Sequence, residues 1–281
     1  MTTTATKRPA AGRYALGHTP EEYERLRAQA RMWDAATARL LDEVGLGPSA
    51  SCLDAGCGPG ETMRAMAERV GPGGHVLGID ADAALGGMAL EMLRGDGYRH
   101  CAFRAQDLTS GDPIPGAPFD LVYTRLLLFH LPQRVDVLAR LWDAVAPGGH
   151  LLVQDFDLRG TSSLPQLDSM AEGLRLVTDA FGAAGADVSA GARLPQLFTQ
   201  AGVGTPDGTD VAGHLVPLAA ASAQLEQVVR SVLPVALAHG MTTEYQAEAL
   251  LASMDRDVCR FPDLPTLMPL LIGAWKRKGQ P

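Results

Sequence analysis

The run Leu53-Asp54-Ala55-Gly56-Cys57-Gly58-Pro59-Gly60 organises the reading of this chain. Ser51 to Asp54 reads as a short strand and Glu61 to Val70 as a helix, so the glycines fall between a strand and a helix. Glycine there permits a tight turn and lets a ligand lie against bare backbone. The dinucleotide fingerprint G-x-G-x-x-G needs a third glycine where Glu61 stands. That spacing argues against NAD(P) and FAD. The Gly-Lys-Ser/Thr ending of a phosphate-binding loop is missing as well. Taken alone, the loop also fits a plain strand-to-helix turn.

Working outward, Thr19-Pro20-Glu21-Glu22 reads as a helix start, with Thr19 as cap and Glu22 completing a capping box. The helix is expected to continue through Leu26, Ala30 and Trp33 to Val44, where Gly45-Leu46-Gly47-Pro48 stops it. Beyond the glycine loop, strands are expected at His75–Asp80, Arg99–Arg104, Phe119–Tyr123 and His150–Gln154. Helices fall between them at Ala83–Leu93 and Gln133–Ala146. Strands separated by helices imply a parallel sheet covered on both faces, and right-handed crossovers make it doubly wound. After Asp157 the pattern turns helical over 164–185, 194–201 and most of 220–260, with a strand at 209–216 and a last one at Leu267–Trp275. The expected class is therefore α/β: a doubly wound, mostly parallel sheet with an N-terminal helical cap and a helical lid inserted over its carboxyl edge. The division that follows is 1–48 for tail and cap, 49–158 for the core, and 159–281 for the lid and closing strands.

Composition narrows the function. The chain has 281 residues, 46% hydrophobic and 20% charged, the balance of a folded globular protein rather than a disordered one. Its formal net charge is −8, and its longest basic run is Lys276-Arg277-Lys278, so a nucleic-acid partner is not expected. Apolar runs fall short of the roughly 20 residues that span a bilayer. The first nine residues lack the apolar stretch of a signal peptide. Cys52, Cys57, Cys101 and Cys259 form no CxxC pair, which suits a reducing, cytoplasmic setting. A small molecule is the expected partner, with a homodimer left open.

Two acids give the glycine loop companions. Asp80 ends the second strand, where a carboxylate can accept from both hydroxyls of an adenosine ribose. Asp107 follows the third strand, where one could accept from an adenine amino group. With LDAGCGPG (53–60), GID (78–80), QD (106–107), FDLVYTR (119–125) and APGGHLLV (146–153), the sequence resembles the class I S-adenosylmethionine-dependent methyltransferases. It falls in the broad group similar to ubiquinone/menaquinone-biosynthesis enzymes. The resemblance covers residues 49–157 best and fades beyond 160. It implies a Rossmann-like core and S-adenosylmethionine as cofactor. It also implies that the backbone at Gly56, Cys57 and Gly58 meets the methionine part, Asp80 the ribose, Ala81 the adenine face, and Asp107 with Leu108 the adenine edge. By the same resemblance Thr124 and Arg125 lie near the donor methyl, and Tyr14 folds over the cofactor. Tyr14 reads equally well as a packed aromatic on the cap.

For the chemistry, methyl transfer from a sulfonium is an in-line displacement that needs alignment and exclusion of water more than a base. If a base is needed, the candidates are His130, after the fourth strand, and Asp155, with Asp157, at the end of the fifth. His130 also reads as structural, and the two acids as a solvated strand end. No third oxygen ligand stands at a convincing spacing for a metal. Cys57 reads as a loop filler used through its backbone, not as a nucleophile. His214 and His239 read as structural, and Leu225, Val228, Val229, Val232 and Leu233 as a packing face. The expected activity is methylation of a small, hydrophobic secondary metabolite. A cofactor-assisted cyclase or rearrangement enzyme, or a non-catalytic cofactor-binding protein, are the alternatives on the same fold.

Overall fold

The structure is a computed structural model that describes residues 20–280. Thr19 and Tyr14 lie outside the described residues. The chain opens with α1 (Pro20–Arg31) and α2 (Asp34–Glu43). One continuous helix was the expectation, but the chain turns at Met32 and Trp33. The reason is burial: the Trp33 side chain is 2% exposed and meets the rings of Phe156 and His214 edge-on, so the backbone bends to bring it inward.

The alternating core then follows. It comprises β1 (Ser51–Ala55), α3 (Glu61–Val70), β2 (His75–Asp80), α4 (Ala83–Gly95), β3 (Cys101–Ala105), β4 (Phe119–Arg125), α5 (Arg134–Asp143) and β5 (Val145–Asp157). Asp82 starts α4 as an N-cap, its carboxylate accepting from the N–H groups of Ala84 and Leu85. β5 is far longer than expected. Pro147-Gly148-Gly149 reads locally as a stop, but backbone bonds from Gly148 to Lys278 and from Lys278 back to Gly149 draw the stretch into the sheet.

The rest comprises β6 (Ser162–Ser163), α6 (Asp168–Ala183), α7 (Leu194–Gln200), β7 (Gly208–Ala212), β8 (Leu215–Pro217), α8 (Leu218–Ala238), α9 (Glu244–Arg260), β9 (Pro265–Leu267) and β10 (Leu270–Arg277). α6 begins four residues later than expected. Pro165 has no N–H to give, and Leu164 donates to the Pro265 carbonyl, so this stretch leaves β6 as a bend before the helix starts.

The main sheet has the order β3-β2-β1-β4-β5-β10-β7. Strands β1 to β5 run parallel, while β10 is antiparallel to both β5 and β7. The class is the α/β one expected. On one face Cys52, Tyr123 and Leu152 pack with Leu41 of α2, Met63 of α3 and Leu93 of α4. On the other, Leu53, Val122 and Val153 pack with Leu138 of α5 and Phe198 of α7. A third core joins α6, α8 and α9 to Phe129 and Leu158, beyond the carboxyl ends of β4 and β5, beside a small sheet of order β6-β9-β8. No helix among the described residues is long and apolar enough to cross a membrane.

Candidate active site

Chain order reverses between β1 and β4, and open α/β sheets receive ligands in the crevice at such a switch point. The glycine loop sits there. Gly56 has φ 76°, and a Cβ on it would lie 3.1 Å from Leu127 Cδ1, so only glycine fits without strain. The N–H groups of Gly56 and Cys57 both donate to the Ile79 carbonyl, at 2.7 and 3.0 Å. The Gly58 N–H donates to Asp80 Oδ2 at 2.9 Å. These three N–H groups are therefore spent on holding the loop, and the loop offers a ligand bare backbone rather than free donors. Cys57 is buried, and burial pushes its thiol well above the usual range, which leaves it inert.

Asp80 is half-buried, with its second oxygen accepting from the Asp82 N–H at 2.9 Å. Burial raises its pKa against the pull of these N–H groups. Each carboxylate oxygen retains further acceptor capacity, and the loop holds the group in place. Ala81 beside it is exposed. Asp107 is exposed too, with Oδ1 engaged by the N–H and hydroxyl of Thr109, both at 2.7 Å. The Leu108 side chain points into the core, and its carbonyl accepts from Arg140 Nη1 at 2.6 Å, so only its backbone remains for a ligand.

Asp54, on β1, is the one buried acid of the loop run. It is 1% exposed, and its Oδ2 has no hydrogen-bond partner. Burial pushes its pKa up to about 7, with the Arg125 guanidinium pulling the other way. Arg125 is half-buried and donates from Nη1 to the Thr37 hydroxyl at 2.9 Å. Thr37 and Tyr123 both donate to Gln154 Oε1, at 2.8 and 2.7 Å, which fixes α2 against β4 and β5. Leu126, next to Arg125, takes φ 57°, an unusual conformation for a leucine at a strand end beside a ligand crevice.

Several expectations need correction. Thr124 is buried, and its hydroxyl donates to the Ala55 carbonyl at 2.8 Å, tying β4 to β1 instead of facing a ligand. Asp155 does not face the cleft. It is fully buried, and its oxygens accept from the N–H groups of Phe129 at 2.8 Å and Phe156 at 2.9 Å, so it rivets β5 to the loop after β4. Burial pushes its pKa up to about 7. Asp157 forms a two-pronged pair with Arg159. His130 meets the rings of Phe129 and Phe181 edge-on, these two also touching each other, and burial pushes its pKa down to about 4. Among the described residues no cluster of three His, Cys, Asp or Glu could hold a metal.

Sequence reasoning overlooked a second set of residues. Tyr23 of α1 is buried, and its hydroxyl donates to the Pro59 carbonyl in the glycine loop at 3.1 Å. Burial pushes that hydroxyl up to about 12, so it stays a donor. Arg27 pairs with Glu61 at 2.5 Å, directly after the loop. The spacing Tyr23, Arg27, Arg31 places all three on one helical face, and that was the available signal.

Residues 52–149 match a family model described as a methyltransferase domain. A trans-aconitate 2-methyltransferase of Rhizobium etli is 35% identical over 134 residues, covering 48% of this chain and 49% of the relative. A methyltransferase of Strobilurus tenacellus is 32% identical over 169 residues, covering 57% and 56%. The chain thus spans about half the length of the curated relatives it matches. Among solved structures, a Bacillus halodurans protein superposes with TM-score 0.60 at 16% identity, over 88% of this chain and all of that one. A Haemonchus contortus phosphoethanolamine N-methyltransferase, solved with S-adenosylhomocysteine, gives 0.52 at 15% identity, over 88% and 53%. At these identities the likeness concerns the fold.

Proposed function

We propose that the chain is a class I S-adenosylmethionine-dependent methyltransferase that methylates a small-molecule acceptor, a reading supported by the methyltransferase-domain match over residues 52–149. The observation that carries the proposal is the pair of strand-end acids, Asp54 and Asp80. Asp54 presents a buried carboxylate oxygen without a partner, a costly state that a cationic or N–H-bearing ligand relieves. Asp80 presents a fixed carboxylate with acceptor capacity beside an exposed Ala81. A ligand with an adenosine at one end and a charged amino acid at the other fits this pair. Asp80, Ala81 and Asp107 would hold the nucleoside, and the bare backbone at Gly56 and Gly58, with Asp54, the methionine part.

Bound S-adenosylmethionine supplies a methyl group activated by its sulfonium charge. The protein's part is alignment and exclusion of water. Alignment can supply about 7–11 kcal/mol of barrier lowering. Met32, Leu126 and Phe156 pack around Trp33 at the acceptor edge, and the α6, α8 and α9 unit closes that side. Such walls suit a hydrophobic metabolite. A second reading, an acceptor bearing a carboxylate, is favoured by Arg125. Among the described residues its guanidinium has no ion pair, although it lies half-buried at the end of β4.

Calorimetry with S-adenosylhomocysteine tests the donor site, and transfer of labelled methyl to a panel of apolar and carboxylate metabolites tests the acceptor. Failure of the full chain to bind S-adenosylhomocysteine would sink the proposal. Turnover of carboxylates but not of their amides would select the second reading.

A further inference from the structure

Glu61 occupies the position where a dinucleotide loop would carry its third glycine, and the structure explains why an acid is tolerated there. The close approach is made one residue earlier. Gly60 has φ 83°, and a Cβ on it would lie 2.9 Å from Ala89 Cβ of α4. Position 61 is therefore free to carry a side chain, and this one points toward α1. Glu61 is 4% exposed. Three guanidinium groups surround it: Arg27 at 2.5 Å, Arg31 at 3.2 Å and Arg64 at 3.3 Å. Arg27 also pairs with Glu24 at 2.7 Å, and Arg64 with Asp96 at 2.6 Å. Four residues before Arg27, Tyr23 donates to the Pro59 carbonyl, so α1 grips the loop at two points on either side of Gly60.

Among the described residues, the contacts that hold α1 are mostly polar. Among its described side chains Tyr23 is the buried one, and the others are half-buried or exposed. A helix of 12 residues has little stability of its own in water. Its placement therefore depends on the contacts to Pro59 and Glu61.

We propose that Glu61 is a positioning residue that couples the docking of α1 to the shape of the cofactor loop, so that α1 acts as an ion-paired strap over the donor site. The proposal rests on the donor-site reading above. Donor binding and strap docking are then one linked equilibrium: a ligand that favours the formed loop favours the docked helix, and the reverse holds equally.

The test uses the full chain and two readouts, S-adenosylhomocysteine affinity by calorimetry and hydrogen exchange over residues 23–31. In wild type, ligand should slow exchange over 23–31. Glu61→Gln and Arg27→Met should each weaken binding about tenfold, with faster exchange confined to α1. The double variant should lose little more than either single one, because both break the same contact. Should Glu61→Gln fail to fold, Arg27→Met and Tyr23→Phe decide the matter, since each removes one grip point and leaves the Glu61 carboxylate in place. Wild-type affinity and wild-type exchange in these variants would overturn the proposal, as would losses that simply multiply in the double variant. If wild type itself binds no S-adenosylhomocysteine, the donor-site reading fails, and the coupling with it. Faster α1 exchange in Glu61→Gln would then show a purely structural clasp.

Discussion

Asp80 at the end of β2 and Asp155 near the end of β5 stand on two strands of one sheet, and each carboxylate accepts two backbone N–H groups. Their surroundings separate them. Asp80 is half-buried beside an exposed alanine, whereas Asp155 is completely buried under the loop that follows β4. The contrast extends along the sheet edge. At β1 and β2 there are acceptors with capacity to spare, including a buried oxygen of Asp54 with no partner. At β4 and β5 the polar groups are used internally: Thr124 on Ala55, Gln154 on Tyr123 and Thr37, Asp155 on Phe129 and Phe156. Arg125, which has no ion pair among the described residues, and the Gln154 Nε2, buried without a partner among them, are the exceptions on that side. At one end of the crevice carboxylate oxygens keep acceptor capacity, and at the other most polar groups are engaged within the protein. The same residue type thus keeps acceptor capacity in one place and is spent on architecture in the other.

The contrast breaks most visibly at Asp155. Asp155→Ala leaves two N–H groups without acceptors, each costing about 1–3 kcal/mol, so denaturant unfolding should show a loss of about 3 kcal/mol. Affinity of the folded variant for S-adenosylhomocysteine should stay within about twofold of wild type. A collapse of affinity at intact stability would erase the distinction between the two acids.

Asp80→Ala should do the opposite. Removing a charged acceptor weakens binding by about 1.5–3 kcal/mol, roughly 10- to 150-fold in Kd, with a smaller change in unfolding midpoint. Calorimetry and thermal unfolding on the same sample compare the two effects directly.

Gly60→Ala probes the loop's own geometry. A side chain at φ 83° with its Cβ against Ala89 should cost about 1–2 kcal/mol, measured by denaturant unfolding. Pairing it with Ala89→Gly should recover the steric part and leave the backbone part.

The effect at His130 should be confined to acid pH. Its pKa falls from 6.5 to about 4 on burial, so on acidification the unfolded chain takes up this proton before the folded one does. Stability should therefore fall as pH drops from 6.5 towards 4, and His130→Gln should flatten that part of the curve. An unchanged slope in the variant would place the titrating group elsewhere.

How much was legible differs between the same two regions. Local signals suffice where neighbours in sequence are neighbours in space. The expected bounds of α3 and β2 match the structure, because the glycine loop and the acid at Asp80 punctuate them. The extra length of β5 was hidden, since its partner is β10 and the pairing Arg277 to His150 joins distant parts of the chain. The small sheet was hidden for a similar reason, its strands being two or three residues long and defined by one another. At the site, the position of Asp80 at the end of β2 was legible, because the strand's apolar run stops at it. Asp155 was misread by the same rule, because burial under Phe129 depends on how the next loop folds over it. Tyr23 and Glu61 were missed because each looks ordinary until α1 is laid against α3.

Ala212 of β7 and Leu271 of β10 are register partners, and residues 213–269 leave the sheet after the one and return just before the other. Antiparallel partners lie about 4.5–5.5 Å apart, so this segment is attached at what amounts to a single point. The sheet's strand order needs nothing from within it. For protein engineering it is a natural cassette, to be exchanged between relatives by two junctions that a short turn can bridge. The condition for a successful graft is that the incoming segment offers α6 an apolar face like that of Val229, Val232, Leu250 and Met254. Chimeras built this way would inherit the donor half from one parent and the acceptor wall from another.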